Sequence, residues 1–196
     1  YFTAMRRLFL SIALVWVVIG GAVAASQAEP IIYQDESSRL WFRCDPDTKT
    51  AAVIADQSTY QTDYVLIENL VIPYSVKVAS ASIGTSGTGG ETFTEFVVTS
   101  VDDDAFTEIP ASTLVFADNS QVTTIGERTF YDAWFAGEIT LPSSLQLIKS
   151  QAFAICSYGE PEHITKVIIP ASVDSLCLSA IVLDAVEEIE FLGAEP

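Results

Sequence analysis

The chain has 196 residues, of which 49% are hydrophobic and only 18% are charged, so it has enough apolar surface to bury a core and is not a disordered protein. Acidic residues outnumber basic residues 26 to 9, which gives a formal net charge of -17 at pH 7. A surface this negative repels phosphate backbones and makes nucleic acid a poor partner, whereas it suits basic protein patches, divalent cations or simply the solubility of an exported protein.

Residues 1–28 have the parts of a secretory signal peptide. The first methionine is followed by two arginines, by an apolar run over residues 8–19 and by a stretch of small residues, and this order is typical of a segment that signal peptidase removes. We expect cleavage after Ala24 or Ala28. The alternative is an uncleaved membrane anchor, because residues 8–25 are nearly long enough to cross a bilayer. Either outcome predicts a secreted or cell-surface protein.

Residues 29–63 are predicted to form an N-terminal β cap. Runs of β-forming residues at 39–44 and 51–55 flank an Asp- and Pro-rich turn at 45–49, which is typical of a β-hairpin. Placed before an array of repeats, such a hairpin would cover the open edge of the first strand.

Two apolar patterns alternate over residues 64–196. In the first, apolar residues stand at positions i, i+3 and i+5, often before a proline. This spacing predicts a short strand that ends where proline cannot donate to the ladder. The copies of the first pattern begin at Ile67, Ala111, Ala136, Ile164 and Val186.

The second pattern has apolar residues at i and i+3, then a small residue followed by a large apolar one at i+7 and i+8. Its copies end at Phe106, Phe130, Phe153 and Ile181, spaced by 24, 23 and 28 residues, and the extra length of the last step lies in a predicted loop at 157–162. One repeat alone cannot cover its apolar side, so the repeats must stack. We therefore predict that the three phenylalanines lie one above another.

In this alternation the chain resembles the bacterial BspA-type leucine-rich repeat proteins. Residues 139–153 match the whole repeat unit, residues 121–130 match with threonine in place of alanine, and residues 169–181 keep the shape without the final phenylalanine. The resemblance spans about residues 64–192, although residues 110–118 lack the Ile-Pro pair and show Phe116-Ala117 instead.

The resemblance implies a β-rich solenoid, a right-handed array of short parallel strands with the β-hairpin cap at its N-terminal end. It also implies a surface protein that binds proteins, such as host surface or matrix proteins, with no catalytic residue, cofactor or metal ligand to carry over. Two other roles stay open, the accessory repeat region of a larger secreted hydrolase and a structural surface spacer. Because no polar capping unit follows the last strand, we expect the array to be truncated at its C-terminal end.

Few residues are candidates for catalysis, metal binding or disulfide formation. The three consecutive aspartates at 102–104 could attract calcium, but they lack the ligand spacing of a calcium loop and fall in a predicted turn. His163 is the only histidine, and its expected place on the surface before a strand argues against a zinc site or a catalytic triad. Cys44, Cys156 and Cys177 are too few to pair completely, so we expect small buried residues; whether Cys156 and Cys177 pair stays open.

Two further segments are interpreted as structural. Residues 78–91, rich in serine and glycine, are predicted to be a loop or a hairpin tip, since their glycines lack the spacing of a phosphate-binding loop. Tyr131, Trp134 and Phe135 follow a core phenylalanine and are expected to pin their loop to the core, with an exposed ligand patch as the alternative.

The outward positions of the first-pattern strands form the expected binding surface, because solenoids bind with extended faces. Their composition is mixed, and it becomes acidic toward the C-terminal end. These positions are Glu68, Asn69, Val71, Ser112, Thr113, Val115, Gly137, Glu138, Thr140, Thr165, Lys166, Ile168, Glu187, Glu188 and Glu190.

Overall fold

A computed structural model of the protein describes residues 28–56, 67–79, 92–154, 164–182 and 186–193. Within them the chain is a β-rich repeat fold, and it contains no helix that could cross a membrane. The signal-peptide prediction up to Gln27, the loop at 157–162, Cys156 and His163 fall outside these residues. The strands are β1 (Ile31–Gln34), β2 (Trp41–Asp45), β3 (Thr50–Ile54), β4 (Ile67–Ile72), β5 (Ser75–Ala79), β6 (Phe93–Val101), β7 (Ala111–Phe116), β8 (Thr124–Ile125), β9 (Gly137–Thr140), β10 (Leu147–Ile148), β11 (Ile164–Ile169), β12 (Ser175–Leu176) and β13 (Val186–Phe191).

The five copies of the first pattern are the strands β4, β7, β9, β11 and β13, and all their pairings are parallel. β4 pairs with β7, and β11 lies between β9 and β13. Residues at the apolar positions of the pattern face the core, as the buried side chains of Leu70, Ile72, Leu114, Ile139 and Val167 demonstrate. The strands predicted from the i, i+3, i+5 spacing are therefore confirmed.

The first-pattern strands form two short sheets with a break between β7 and β9. The Ala136 N–H still donates to the Ser112 carbonyl oxygen at 2.9 Å, just before β9 begins. Gly137, the first residue of β9, has φ +74, a left-handed conformation that departs from strand geometry. The outward side of these five strands is called the front face below.

The second pattern also contains strands, which the sequence analysis did not predict. β6, β8, β10 and β12 pair in parallel, with Val101, Ile125, Ile148 and Leu176 in register. β8, β10 and β12 are only two residues long, too short to leave an alternating pattern. Each complete repeat thus contributes one first-pattern strand and one second-pattern strand, and both pair in parallel with strands of neighbouring repeats.

The predicted N-terminal hairpin is present, and a third strand extends it. β2 pairs antiparallel with β3, and β1, which was not predicted, pairs antiparallel with β2. The turn forms because Asp45 Oδ1 accepts hydrogen bonds from the N–H groups of Asp47 and Thr48 at 2.8 and 3.2 Å, the arrangement of an Asx turn. β3 then pairs in parallel with β6, so the three strands continue the sheet of the second pattern.

The segment that splits the first repeat is anchored in the same sheet. β5 pairs antiparallel with β6, and Ala79 lies opposite Phe93. Val76, Val78 and Phe96 on these strands are buried. The flanking strands agree with the predicted hairpin, whose tip at residues 80–91 lies outside the described residues.

The aromatic residues of the second pattern form a column in the core. The rings of Phe106 and Phe130 stack with their centroids 5.7 Å apart, and the ring of Phe153 lies 5.0 Å from that of Phe130. Ile181 continues the column through a parallel bridge with Phe153. The predicted stacking is therefore confirmed. Two residues before each of these side chains the backbone is left-handed, at Asp104, Arg128, Gln151 and Ser179.

The last described repeat departs from the predicted burial. Leu176 and Phe191 stand at positions that should face the core, yet they are 44% and 45% exposed. They lie on β12 and β13, which are the outermost strands of their sheets in the described part of the chain. Among the described residues no further strand covers them on that side, unlike their equivalents in earlier repeats.

Candidate functional site

The front face is where ligand contacts were predicted, and it is open to solvent. All fifteen predicted outward residues are exposed or half-buried. For the residues that flank the inward positions i+3 and i+5, the cause is the two-residue period of a strand, which sends successive side chains to opposite sides of the sheet. Leu70 and Leu114 are buried, whereas their chain neighbours Val71 and Val115 are exposed.

An apolar pair lies on the N-terminal half of the front face. Val71 of β4 is opposite Val115 of β7, and the two residues are 46% and 45% exposed. Beside them the Thr113 hydroxyl donates a hydrogen bond to Asn69 Oδ1 at 2.6 Å, which links the two strands through their side chains. Neither valine is buried in the core, so the pair leaves apolar surface open to solvent.

The C-terminal half of the front face is acidic. Glu138 is exposed on β9, and Lys166 on β11 forms ion pairs with Glu188 at 3.1 Å and Glu190 at 2.6 Å on β13. Hydrogen bonds to Glu190 and then to Glu188 raise the pKa of Lys166, so this lysine keeps its charge. With Glu187, which is exposed on β13, this half has one ammonium group and four carboxylates and is negatively charged.

The three consecutive aspartates Asp102, Asp103 and Asp104, called the aspartate triplet below, form ion pairs with basic residues from distant parts of the chain. The turn that was predicted for these residues is present after β6. Each carboxylate has its own partner: Arg43 for Asp102 at 2.7 Å, Lys149 for Asp103 at 2.9 Å and Arg128 for Asp104 at 3.4 Å.

A glycine in the next repeat makes this arrangement possible. A Cβ on Gly126 would lie 2.4 Å from the backbone nitrogen of Asp103, closer than real Cβ contacts.

The hydrogen bond from Lys149, followed by that from the N–H of Glu127, lowers the pKa of Asp103. Within the described residues no group of three or more His, Cys, Asp or Glu side chains could hold a metal ion. The triplet therefore connects neighbouring layers of the fold.

The aromatic residues that follow Phe130 have different roles. Phe135 is buried, and its ring meets that of Phe130 edge to face at a centroid distance of 5.5 Å. Tyr131 is half-buried beneath the Arg128 guanidinium, which lies 5.0 Å from the ring centroid. Trp134 is exposed at the surface. Packing therefore explains the first two residues, whereas the third leaves part of its indole open to solvent.

The two described cysteines occupy unequal environments. Cys44 is buried in β2, and desolvation raises the pKa of its thiol to about 11, which makes it an unreactive core residue at neutral pH, as predicted. Cys177 is half-buried just after β12. Cys156, the cysteine whose pairing with Cys177 the sequence left open, lies outside the described residues.

Asp132 is an unusual acid that the sequence analysis missed. Its backbone is left-handed with φ 56, and its Oδ1 atom is buried without a hydrogen-bond partner. Desolvation, and then the negative charge of Glu108, raises the pKa of Asp132. Only the stacking of consecutive repeats brings these two acids together, so no local pattern could have indicated them.

Comparison with known proteins agrees with this architecture. A family model described as BspA type leucine rich repeat region matches residues 91–191 with six copies. Among solved structures, a leucine-rich repeat protein from Bacteroides capillosus ATCC 29799 has a TM-score of 0.50 at 19% sequence identity, over 83% of this chain and 99% of that chain. This likeness shows a shared fold.

Two other solved structures are more distant. The pneumococcal vaccine antigen PcpA has a TM-score of 0.44 at 15% identity, over 82% of this chain and 48% of that chain. A leucine rich cell surface protein from Faecalibacterium prausnitzii A2-165 has a TM-score of 0.33 at 16% identity, over 86% of this chain and 56% of that chain. No curated protein sequence matches the chain. The six repeat copies over residues 91–191, half of the sequence, show that the chain belongs to the BspA-type leucine-rich repeat family.

Proposed function

We propose that this protein is a secreted or cell-surface binding protein without catalytic activity, and that its front face binds another protein. Export is supported by the signal-peptide pattern of residues 1–28. Family membership supports a right-handed solenoid. The three antiparallel strands before β6 support the idea of an N-terminal cap, because they prolong the sheet at that edge.

One observation carries the binding role, namely the exposed pair Val71 and Val115. These residues alternate with the buried Leu70 and Leu114 on paired strands, so the core of the fold is complete without them. A surface that presents apolar side chains in register beside hydrogen-bonding and charged groups has the mixture found in protein interfaces.

A double variant with the same net charge as the wild type tests this role. In V71K/V115E the new side chains lie opposite each other and can form a cross-strand ion pair, which preserves the sheet. The matched control I32K/L178E makes the same two changes at exposed apolar residues outside the front face.

Peptides would be selected against the wild-type protein from a random display library, and their affinity for each variant would be measured. We expect the selected peptides to lose binding to V71K/V115E by at least about tenfold and to keep binding to I32K/L178E, since central apolar contacts dominate interface energies. Peptides that bind both variants equally well would contradict the proposal. A selection that yields no specific peptide would favour the spacer role.

A further inference from the structure

We propose that the partner of the front face is a basic polypeptide segment, one that presents Lys or Arg side chains beside an aliphatic side chain. This inference rests on the proposed function and names the chemistry of the partner. The occupant is a protein segment, because the surface spans five strands and its fifteen outward residues are all exposed or half-buried.

The distribution of charge over the molecule is the first argument. Seven basic residues follow residue 28, against all 26 acids. Three of these bases, Arg43, Arg128 and Lys149, form ion pairs with the aspartate triplet at the turn after β6. A fourth, Lys49, lies 5.6 Å from the ring centroid of Phe96. The bases are thus largely engaged in interactions away from the front face.

The front face itself has a large excess of acids. Its outward positions hold five glutamates and a single base, Lys166, which already pairs with Glu188 and Glu190. Glu68 and Glu138 are exposed on β4 and β9, so the acidic positions extend from the first to the last strand of the face. A partner of complementary charge would be attracted to the acids on β4, β9 and β13, since the outward positions of β7 and β11 hold none.

The exposed pair Val71 and Val115 indicates which kind of cationic partner fits the front face. A small inorganic cation would gain nothing from the exposed methyl groups of Val71 and Val115. Lys and Arg side chains in a polypeptide have long aliphatic stems that can cover such methyl groups while their charged ends reach carboxylates. Nucleic acids and anionic membranes carry the same sign of charge as this face and are repelled by it.

Three labelled octapeptides serve as probes, in which valine alternates with lysine, with glutamate or with serine. The charge variant E68Q/E138Q removes two carboxylates from the front face. The control variant E36Q/E127Q removes two exposed carboxylates that lie outside it. Both variants have the same net charge, so nonspecific attraction to an acidic protein affects them equally. Circular dichroism melting curves would verify that all proteins are folded.

The affinity of each peptide for each variant would be measured by fluorescence anisotropy titration, at low and at physiological salt concentration. We expect the Lys/Val peptide to bind the wild type, to bind E68Q/E138Q about fivefold more weakly and E36Q/E127Q almost unchanged, and to lose affinity as salt rises. An equal loss in both variants would overturn the inference. If the Ser/Val or Glu/Val peptide binds as tightly and loses binding to V71K/V115E, the front face is a binding site but its partner is not basic. If no peptide depends on the front face, both the inference and the proposed function are wrong.

Discussion

Phe106 and Phe130 occupy the same position in consecutive repeats, and their rings stack 5.7 Å apart and within 2° of parallel. The residues are 24 positions apart in the sequence, so the contact exists only because one repeat lies on the next. The amide of each phenylalanine also donates to the neighbouring layer, Phe106 to the Thr129 carbonyl and Phe130 to the Ala152 carbonyl, at 2.8 and 2.9 Å. Side-chain packing and backbone hydrogen bonds thus fix the same stacking register.

Removal of the central ring should destabilise the whole array. Phe130 contacts the rings of Phe106, Phe135 and Phe153, so Phe130→Ala leaves a cavity that three neighbours cannot fill. We expect a loss of about 3–5 kcal/mol in the free energy of unfolding, measured by urea denaturation. The control Leu178→Ala, at an almost fully exposed residue, should change it by less than about 0.5 kcal/mol. Similar effects of the two substitutions would be incompatible with a shared core.

The close approach at Gly126 predicts a strong effect of one methyl group. In Gly126→Ala the added Cβ collides with the backbone at Asp102 and Asp103, which cannot move without disturbing the ladder. We expect a loss of about 2–3 kcal/mol in the free energy of unfolding.

Gly137→Ala is the matched comparison for this substitution. Nothing lies within 4 Å of a Cβ there, but φ is +74, so the cost is only the backbone strain of about 1 kcal/mol. Thermal or chemical denaturation would rank the two variants. A larger effect of Gly137→Ala would mean that the contact at Gly126 relaxes easily.

The ion pair of Asp103 predicts a dependence of stability on acid. The folded-state pKa of Asp103 lies below its ordinary value of 3.8, so the carboxylate contributes stability above that pH and loses it as the pH falls through the folded-state pKa. Asp103→Asn should therefore be less stable than the wild type at pH 7, and the difference should shrink as the pH falls below 3.8. Urea denaturation across this range is the measurement. A difference that does not depend on pH would exclude the carboxylate charge as its cause.

Asp132 predicts the opposite behaviour. Its pKa is raised, so the charged form is less stable in the folded state, and this penalty is present above the folded-state pKa and absent below the ordinary pKa. Asp132→Asn removes the charge and retains a residue type that tolerates the left-handed backbone at φ 56. We expect the variant to be more stable than the wild type by up to about 1 kcal/mol at pH 7, with no gain below pH 3.8. A loss of stability at pH 7 would indicate that the carboxylate has a favourable partner.

Features that leave a regular spacing of apolar residues in the sequence could be predicted from it. The i, i+3, i+5 spacing located β4, β7, β9, β11 and β13, and the small–large pairs located the phenylalanine column. For the front face, the same spacing was enough to identify the outward residues, because positions i, i+3 and i+5 were assigned to the core and the residues between them were left for solvent.

Features that depend on two repeats at once could not be predicted. β8, β10 and β12 are strands only because their neighbours supply the hydrogen bonds, and two residues carry no period. The left-handed positions Asp104, Arg128, Gln151 and Ser179 share a place in the repeat but not a residue type, so no turn signature marks them. The ion-pair partner of Asp102 is Arg43, which lies on β2 much earlier in the sequence, and no local pattern links the two residues.

The most direct test of binding through the front face is a methyl NMR titration with a peptide selected against the wild-type protein. We predict that the methyl signals of Val71 and Val115 shift on binding, while those of the core residues Val101, Ile125 and Ile148 remain in place. Shifts that leave both front-face valines unchanged and appear instead at Leu176 and Leu178 would contradict the account, because they would place the bound peptide at the end of the array.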